Sequence, residues 1–318
     1  MNEYLALTLG LACAGLGGEL FVRGAVGLAR LARIPAGIVG ATVAAFATSS
    51  PELSVSVTSA LAGEPQIALG DALGSNVVNT ALILGLALAT SGLQSQRSNL
   101  WRDFPVATLA PAATAVLLLD GVLSRLDGAL MLALFLAWLG AAVLEAIRHR
   151  HRATQAAVGE RTWPTFLYGA AGLALLVAGG NFVVLGARGI AVTFGISDFV
   201  IGATLVAIGT SMPELATTIV ARLRGHDDVG LGAVLGSNIV NGLFIVAIAA
   251  LIRPIDVPLR SVASTLTFGA LAVLCAFPPR SGFIKRRRGM LLLFLYRVYL
   301  AAVLGAISTK AANTSTAA

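Results

Sequence analysis

Charge is what this chain has least of. Only 12% of its 318 residues are Asp, Glu, Lys or Arg, against about 25% in a soluble domain, while 57% are hydrophobic and the mean hydropathy is +0.87. A cytosolic enzyme, a secreted disulfide scaffold and a disordered tail protein are all excluded by that balance. Cysteine is nearly absent: Cys13 and Cys275 lie in apolar runs without metal or redox spacing and read as buried small residues. Aromatics are 6% against 35 glycines, which favours helices packed through small residues over an outer-membrane barrel with its aromatic girdles. Of three histidines, His149 and His151 alternate with arginines and His226 sits in the polar run RGHDD; none has metal-site spacing. The opening MNEYLALTLGLACAGLGGEL carries no basic leader and reads as the start of a first span rather than a cleaved signal.

What is abundant is apolar length. With about 20 apolar residues per span, the chain divides into ten candidate helices at 4–29, 36–62, 66–91, 103–121, 126–147, 163–186, 198–221, 229–252, 258–277 and 289–308. The predicted class is therefore an all-α polytopic membrane protein. Its halves are 1–147 and 163–318, joined by the short polar linker 148–162, which is too small to fold as a regulatory domain. Ten spans put both termini on one side. Loops on the opposite side hold 16 of the 22 basic residues, among them Arg148, Arg150, Arg152, Arg161, Arg222, Arg224 and the run Lys285–Arg288, and the termini's side holds 5. The positive-inside rule then places 148–162 in the cytoplasm and both termini outside the inner membrane. The net charge of +7 is accounted for by topology, and nucleic-acid binding is not expected.

The second half repeats the first. Gly40–Leu53 (GATVAAFATSSPEL) and Gly202–Leu215 (GATLVAIGTSMPEL) share 9 of 14 residues; Gly70–Asn79 (GDALGSNVVN) and Gly232–Asn241 (GAVLGSNIVN) share 7 of 10. Both pairs, and the entry glycines Gly17-Gly18 and Gly179-Gly180, are offset by 162 residues. Five spans per half is an odd number, so the halves would be inverted, an arrangement that secondary transporters use to place substrate at the midplane.

The repeated blocks are also the most polar part of the apolar region. A proline within a helix releases the carbonyl four residues earlier, here Ala47 before Pro51 and Gly209 before Pro213. On helical spacing Thr48 and Ser49 share a face with Glu52, and Thr210 and Ser211 with Glu214. Each patch offers a carboxylate, two hydroxyls and loosened carbonyls, a hard-oxygen set suited to Ca²⁺ or Na⁺ and, without Cys or His, unsuited to zinc or copper. The second blocks add Ser75 with Asn79 and Ser237 with Asn241, each pair at i, i+4. Their Gly-xxx-Gly spacings, Gly70–Gly74 and Gly232–Gly236, read equally as helix-packing motifs, and Asn76 and Asn238 as residues holding helices together. An ionisable residue inside a membrane is by default functional, which singles out Glu52 and Glu214.

The doubled T-S-x-P-E-L and G-S-N-x-x-N blocks resemble the alpha-repeats of the sodium/calcium exchanger superfamily of cation/Ca²⁺ antiporters. The resemblance implies a 5+5 inverted fold with four ion sites in a diamond. Glu52 and Glu214 would bind Ca²⁺ with the carbonyls of Thr48 and Thr210. Na⁺ ligands would be Ser49, Ser75, Ser211, Ser237 and the carbonyls of Ala45 and Ala207, with the first helix of each half sliding against the core. Gly15, Gly17, Gly18, Gly179, Gly180 and Gly186 on those helices are expected as sliding and close-packing surfaces. Three positions depart from the pattern. Asn241 stands where some microbial members have aspartate. Ala47 replaces a glycine. Asp71, one helical turn before Ser75, has Ala233 as its repeat mate, and is either an access-path carboxylate or an interfacial residue.

The expected activity is Ca²⁺/Na⁺ antiport by alternating access. Ca²⁺/H⁺ exchange on the same fold is the alternative, and a passive cation channel a third. No nucleophile–base pair, phosphate loop or redox motif stands out, so no enzyme is expected. Neither is a resident cofactor or an obligatory protein partner; Ca²⁺, Na⁺ and the bilayer are what the chain is expected to meet.

Overall fold

The computed structural model describes residues 2–63, 65–95, 99–152, 162–193 and 207–315. Residues 153–161 of the linker and 194–206, which include the first five positions of the repeated block 202–215, lie outside the described residues.

Helices dominate. We label them α1 (Glu3–Ala32), α2 (Ala36–Thr48), α3 (Ser50–Ala62), α4 (Pro65–Ser91), α5 (Phe104–Leu117), α6 (Arg125–Arg152), α7 (Thr162–Thr193), α8 (Ala207–Thr210), α9 (Met212–Leu223), α10 (Asp227–Ile252), α11 (Leu259–Ala276) and α12 (Arg286–Ser315). Among the described residues five helices, α1, α4, α6, α10 and α11, are long and apolar enough to cross a membrane alone, and α2 with α3 makes a sixth if the bent pair counts as one span. The molecule is a helical membrane protein. α6 continues through Arg148 to Arg152, so the basic stretch expected as a loop begins as helix; Arg148–Arg152 contains no Gly or Pro to stop it.

α4 and α10 are the most enclosed spans, with 83% and 78% of their apolar windows buried, against 22% for α6 and 28% for α11. Both are wound more widely over one short stretch, as π-helix at Val78–Leu84 and Val240–Ile245. These stretches start 162 residues apart, at matching places in the repeat. A third wide turn, Gly40–Ala44, precedes the bend between α2 and α3.

That bend measures 44° and falls at Ser49, where ψ swings to 10°. Pro51 occupies the first turn of α3, where its missing N–H costs nothing, and Pro213 does the same for α9. The expectation of a proline inside a continuous helix is thus corrected: the chain breaks two residues before the proline, at Ser49. The carbonyl of Ala47 is taken up by the Ser50 hydroxyl at 2.7 Å.

Small residues set the closest approaches. α1 and α7 run antiparallel in close contact: a Cβ on Gly17 would stand 2.8 Å from the Leu176 nitrogen, and one on Gly24 2.5 Å from that of Gly169. Gly17 and Gly18 are therefore packing glycines as expected, whereas a Cβ on Gly15 would meet nothing within 4 Å. α10 presses on α2, with Gly232 leaving 2.6 Å between a would-be Cβ and the Gly37 carbonyl.

Two antiparallel two-residue ladders, absent from the all-α expectation, tie the loops. β1 (Leu93–Gln94) pairs with β4 (Phe283–Ile284), and β2 (Val122–Leu123) with β3 (Ile255–Asp256). β3 is β1 displaced by 162 residues, so each half contributes a strand to the other half's ladder.

Candidate cation-binding site

The bend at Ser49 decides the site's geometry. With the helix interrupted there, Ser49 no longer serves the glutamate of its own segment. Its hydroxyl donates to Glu214 Oε1 at 3.2 Å, and the Ser211 hydroxyl donates to Glu52 Oε1 at 3.4 Å. Each glutamate is held by the serine of the opposite half, in two contacts that exchange under the 162-residue offset. The one-face patch expected from helical spacing is therefore replaced by a crossed pair, and the carboxylates are brought together between the halves.

Glu52, Glu214, Thr48, Ser49, Ser75, Ser211, Ser237, Asn79 and Asn241 are fully buried, and Thr210 is 8% exposed. Ser237 gives Glu214 Oε1 a second donor at 3.0 Å, and its oxygen lies 3.4 Å from both the Thr48 hydroxyl and the Ala45 carbonyl. The Ala45 carbonyl also accepts from the Ser49 backbone N–H (3.0 Å) and the Thr48 hydroxyl (3.3 Å). Ala207 repeats that pattern with Ser211 N–H (3.2 Å) and Thr210 (3.1 Å). So the carbonyls of Ala45 and Ala207 face the hydroxyl set from either side.

Several of these groups have no protein partner. Glu52 Oε2, Glu214 Oε2, Ser75 Oγ and both amide atoms of Asn79 and Asn241 are buried and unbonded. A buried polar atom without a partner costs about 1–3 kcal/mol, and more if charged. Five of these seven atoms are oxygens, two carboxylate, one hydroxyl and two amide, the kind of set a hard cation takes as ligands; the two asparagine Nδ2 groups are donors and do not coordinate a cation. Asn79 and Asn241 stand second in their wide turns, at Val78–Leu84 and Val240–Ile245, and such turns recur at functional sites.

A model of the sodium/calcium exchanger protein family matches residues 3–144 and 165–305. The chain belongs to this family. Among its relatives, the inner membrane protein YrbG of Escherichia coli is 35% identical over 71% of this chain and 73% of its own length. The sodium/calcium exchanger MaX1 of Methanosarcina acetivorans is 28% identical over 94% and 97%. A solved structure of the sodium-calcium exchanger NCX_Mj, soaked with Na⁺ and Sr²⁺, superposes with a TM-score of 0.82 at 30% identity, covering 94% of this chain and 98% of that one.

Some contacts in this exchanger-family chain escaped the sequence reading. Asn76 Nδ2 donates to the Asn238 carbonyl at 3.1 Å and Asn238 Nδ2 to that of Asn76 at 3.4 Å, with Thr80 Oγ1 a further partner of Asn238 at 2.5 Å. These repeat mates clasp across the halves, as the helix-holding reading of the two asparagines anticipated; Thr80, one turn after Asn76, was the missed third member. Arg102 grips Asp103 through two nitrogens at 2.6 and 2.9 Å and Glu145 at 2.9 Å, while Trp138 donates to Asp103 at 3.0 Å. The adjacent Arg-Asp pair at the mouth of a span, and Trp138 and Glu145 two helical turns apart on α6, were the available signals.

Proposed function

We propose that this chain is a secondary active antiporter exchanging Ca²⁺ for Na⁺ across the cytoplasmic membrane by alternating access. The observation that carries the reading is the crossed pair Ser49–Glu214 and Ser211–Glu52, which holds two buried carboxylates between the halves. A divalent cation neutralises both at once; two Na⁺ do the same, so the cations compete for one centre. Thr48 and Thr210, Ser49 and Ser211, Ser75 and Ser237, Asn79 and Asn241, and the carbonyls of Ala45 and Ala207 are its neutral oxygen ligands. The ions are cargo, and no resident cofactor or covalent step is assigned.

We read the architecture as ten spans in two inverted halves, 1–147 and 163–318. Support comes from the antiparallel packing of the matching helices α1 and α7, the exchanged strands of the two ladders, and the Asn76–Asn238 clasp. The arginine distribution supports extracytoplasmic termini with 148–162 in the cytoplasm, and the Escherichia coli relative, an inner membrane protein by name, supports an inner-membrane location.

The deciding experiment is ⁴⁵Ca²⁺ uptake into Na⁺-loaded proteoliposomes. Uptake should require the outward Na⁺ gradient and vanish with equal Na⁺ on both sides. Uptake driven by a pH jump in the absence of Na⁺ would replace Na⁺ by H⁺ as the counter-ion. Flux with no counter-ion on either side would make the protein a channel and overturn the proposal.

A further inference from the structure

Both amide atoms of Asn79 and of Asn241 are buried without a protein partner, so neither side chain is oriented by a contact of its own. Orientation falls to the backbone of the wide turns in which they stand, Val78–Leu84 and Val240–Ile245.

Those two turns are not held alike. The residue after Asn79 is Thr80, fully buried, whose Oγ1 accepts from Asn238 Nδ2 at 2.5 Å. A threonine inside a helix can return its hydroxyl to a carbonyl one turn back, as Thr42, Thr108 and Thr114 do at 2.7, 2.7 and 3.1 Å. Thr80 turns its hydroxyl across the halves instead. Asn238 is fixed in its turn: it is buried, its Nδ2 lies 3.4 Å from the Asn76 carbonyl, and Asn76 Nδ2 donates to the Asn238 carbonyl at 3.1 Å. After Asn241 comes Gly242, the repeat mate of Thr80, with no side chain to offer. A Cβ there would already stand 3.1 Å from Asn76 Nδ2. The asparagine clasp therefore reaches into the first wide turn and stops short of the second.

We propose that Thr80 is a positioning residue for cation binding. Held by Asn238, it locks the first wide turn so that the Asn79 amide oxygen is ready for the cation, which makes the two asparagine ligands unequal, Asn79 preorganised and Asn241 free to adjust. A ligand fixed by an outer partner binds at a lower ordering cost than one that must be fixed on binding. The proposal deepens the antiport reading and rests on it for Asn79 being a ligand.

The test is a double-mutant cycle on the full chain, read by equilibrium ⁴⁵Ca²⁺ binding to purified protein, with the melting temperature measured beside it. Thr80→Val deletes the acceptor and keeps the shape, and should weaken Ca²⁺ binding about threefold to tenfold. Thr80→Ala should do the same, and either variant decides if the other does not fold. Thr80→Ser keeps the hydroxyl and should stay within about twofold of wild type. Because Thr80 acts through Asn79, Thr80→Val on an Asn79→Ala background should change affinity by less than about twofold. A merely structural threonine behaves otherwise: its loss lowers the melting temperature and leaves Ca²⁺ affinity alone, or costs the same factor with and without Asn79. Either result overturns the proposal, as does Thr80→Ser binding no better than Thr80→Val. Wild-type protein that binds Ca²⁺ without exchanging it for Na⁺ would sink the antiport reading and leave the cycle decisive. Asn79→Ala with wild-type affinity would remove the ligand, and this proposal with it.

Discussion

At the scale of single residues, the crossed hydrogen bonds make each glutamate depend on the half it does not belong to. Glu52→Gln or Glu214→Gln keeps shape and removes one of the two charges, and Na⁺-driven ⁴⁵Ca²⁺ uptake should fall to the level of empty liposomes; robust transport by either variant would remove these residues from the mechanism. The serines are graded. Ser49→Ala deletes the donor to Glu214, and because a hydrogen bond to a charged group is worth about 1.5–3 kcal/mol, exchange at limiting Ca²⁺ should drop about tenfold or more. Ser50→Ala, whose hydroxyl reaches only the Ala47 carbonyl, should change the same rate by less than about threefold. Equal losses from the two would show that the serine–glutamate geometry carries no weight. Which residues matter was visible in the doubled T-S-x-P-E spacing. Who bonds to whom was not: spacing along one helix points Ser49 toward Glu52, and only the 44° bend turns it to Glu214.

Elements show the same division between composition and contact. Gly70–Gly74 and Gly232–Gly236 carry one motif, and chain spacing alone cannot tell a packing glycine from an idle one. The structure separates them. A Cβ on Gly232 would stand 2.6 Å from the Gly37 carbonyl, whereas one on Gly70 meets nothing within 4 Å. Gly232→Val should therefore force α10 off α2 at an overpacking cost of about 1–3 kcal/mol, seen as a lower melting temperature in detergent. Gly70→Ala should leave melting unchanged or raise it, since alanine is favoured over glycine in a helix interior by about 0.5–1 kcal/mol. The reverse ranking would mean that the α2–α10 contact does not hold the bundle together. The positions of α1, α4, α6, α10 and α11 were legible from apolar length to within a few residues, because twenty apolar residues have few alternatives to a helix in a bilayer. The wide turns of α4 and α10 were not, since no proline marks Val78–Leu84 or Val240–Ile245 and each stretch packs against the matching helix of the opposite half. The two-residue ladders were invisible for the same reason: their partners lie 191 and 134 positions apart at the outer registers.

For the whole molecule, the scarcity of charge becomes a rule about when the halves can move. In the proposed alternating-access cycle, passing from one access state to the other would carry Glu52 and Glu214 through a closed, dehydrated arrangement. Unpaired, each buried carboxylate costs several kcal/mol after relaxation; Ca²⁺ or Na⁺ removes most of that cost by neutralising the pair. At about tenfold in rate per 1.4 kcal/mol, even 4 kcal/mol left uncompensated slows the empty carrier by roughly three orders of magnitude relative to the loaded one. On the proposed mechanism exchange would be obligatory, because only the loaded states would cross at a useful rate. Proteoliposomes filled with ⁴⁵Ca²⁺ and diluted into medium free of Na⁺ and Ca²⁺ should therefore hold their label. Unlabelled Ca²⁺ added outside should release it by one-for-one exchange without any Na⁺, and added Na⁺ should release it by antiport. Release into cation-free medium at a rate comparable to either would mean that the empty halves cross freely, and that the two buried carboxylates do not set the coupling.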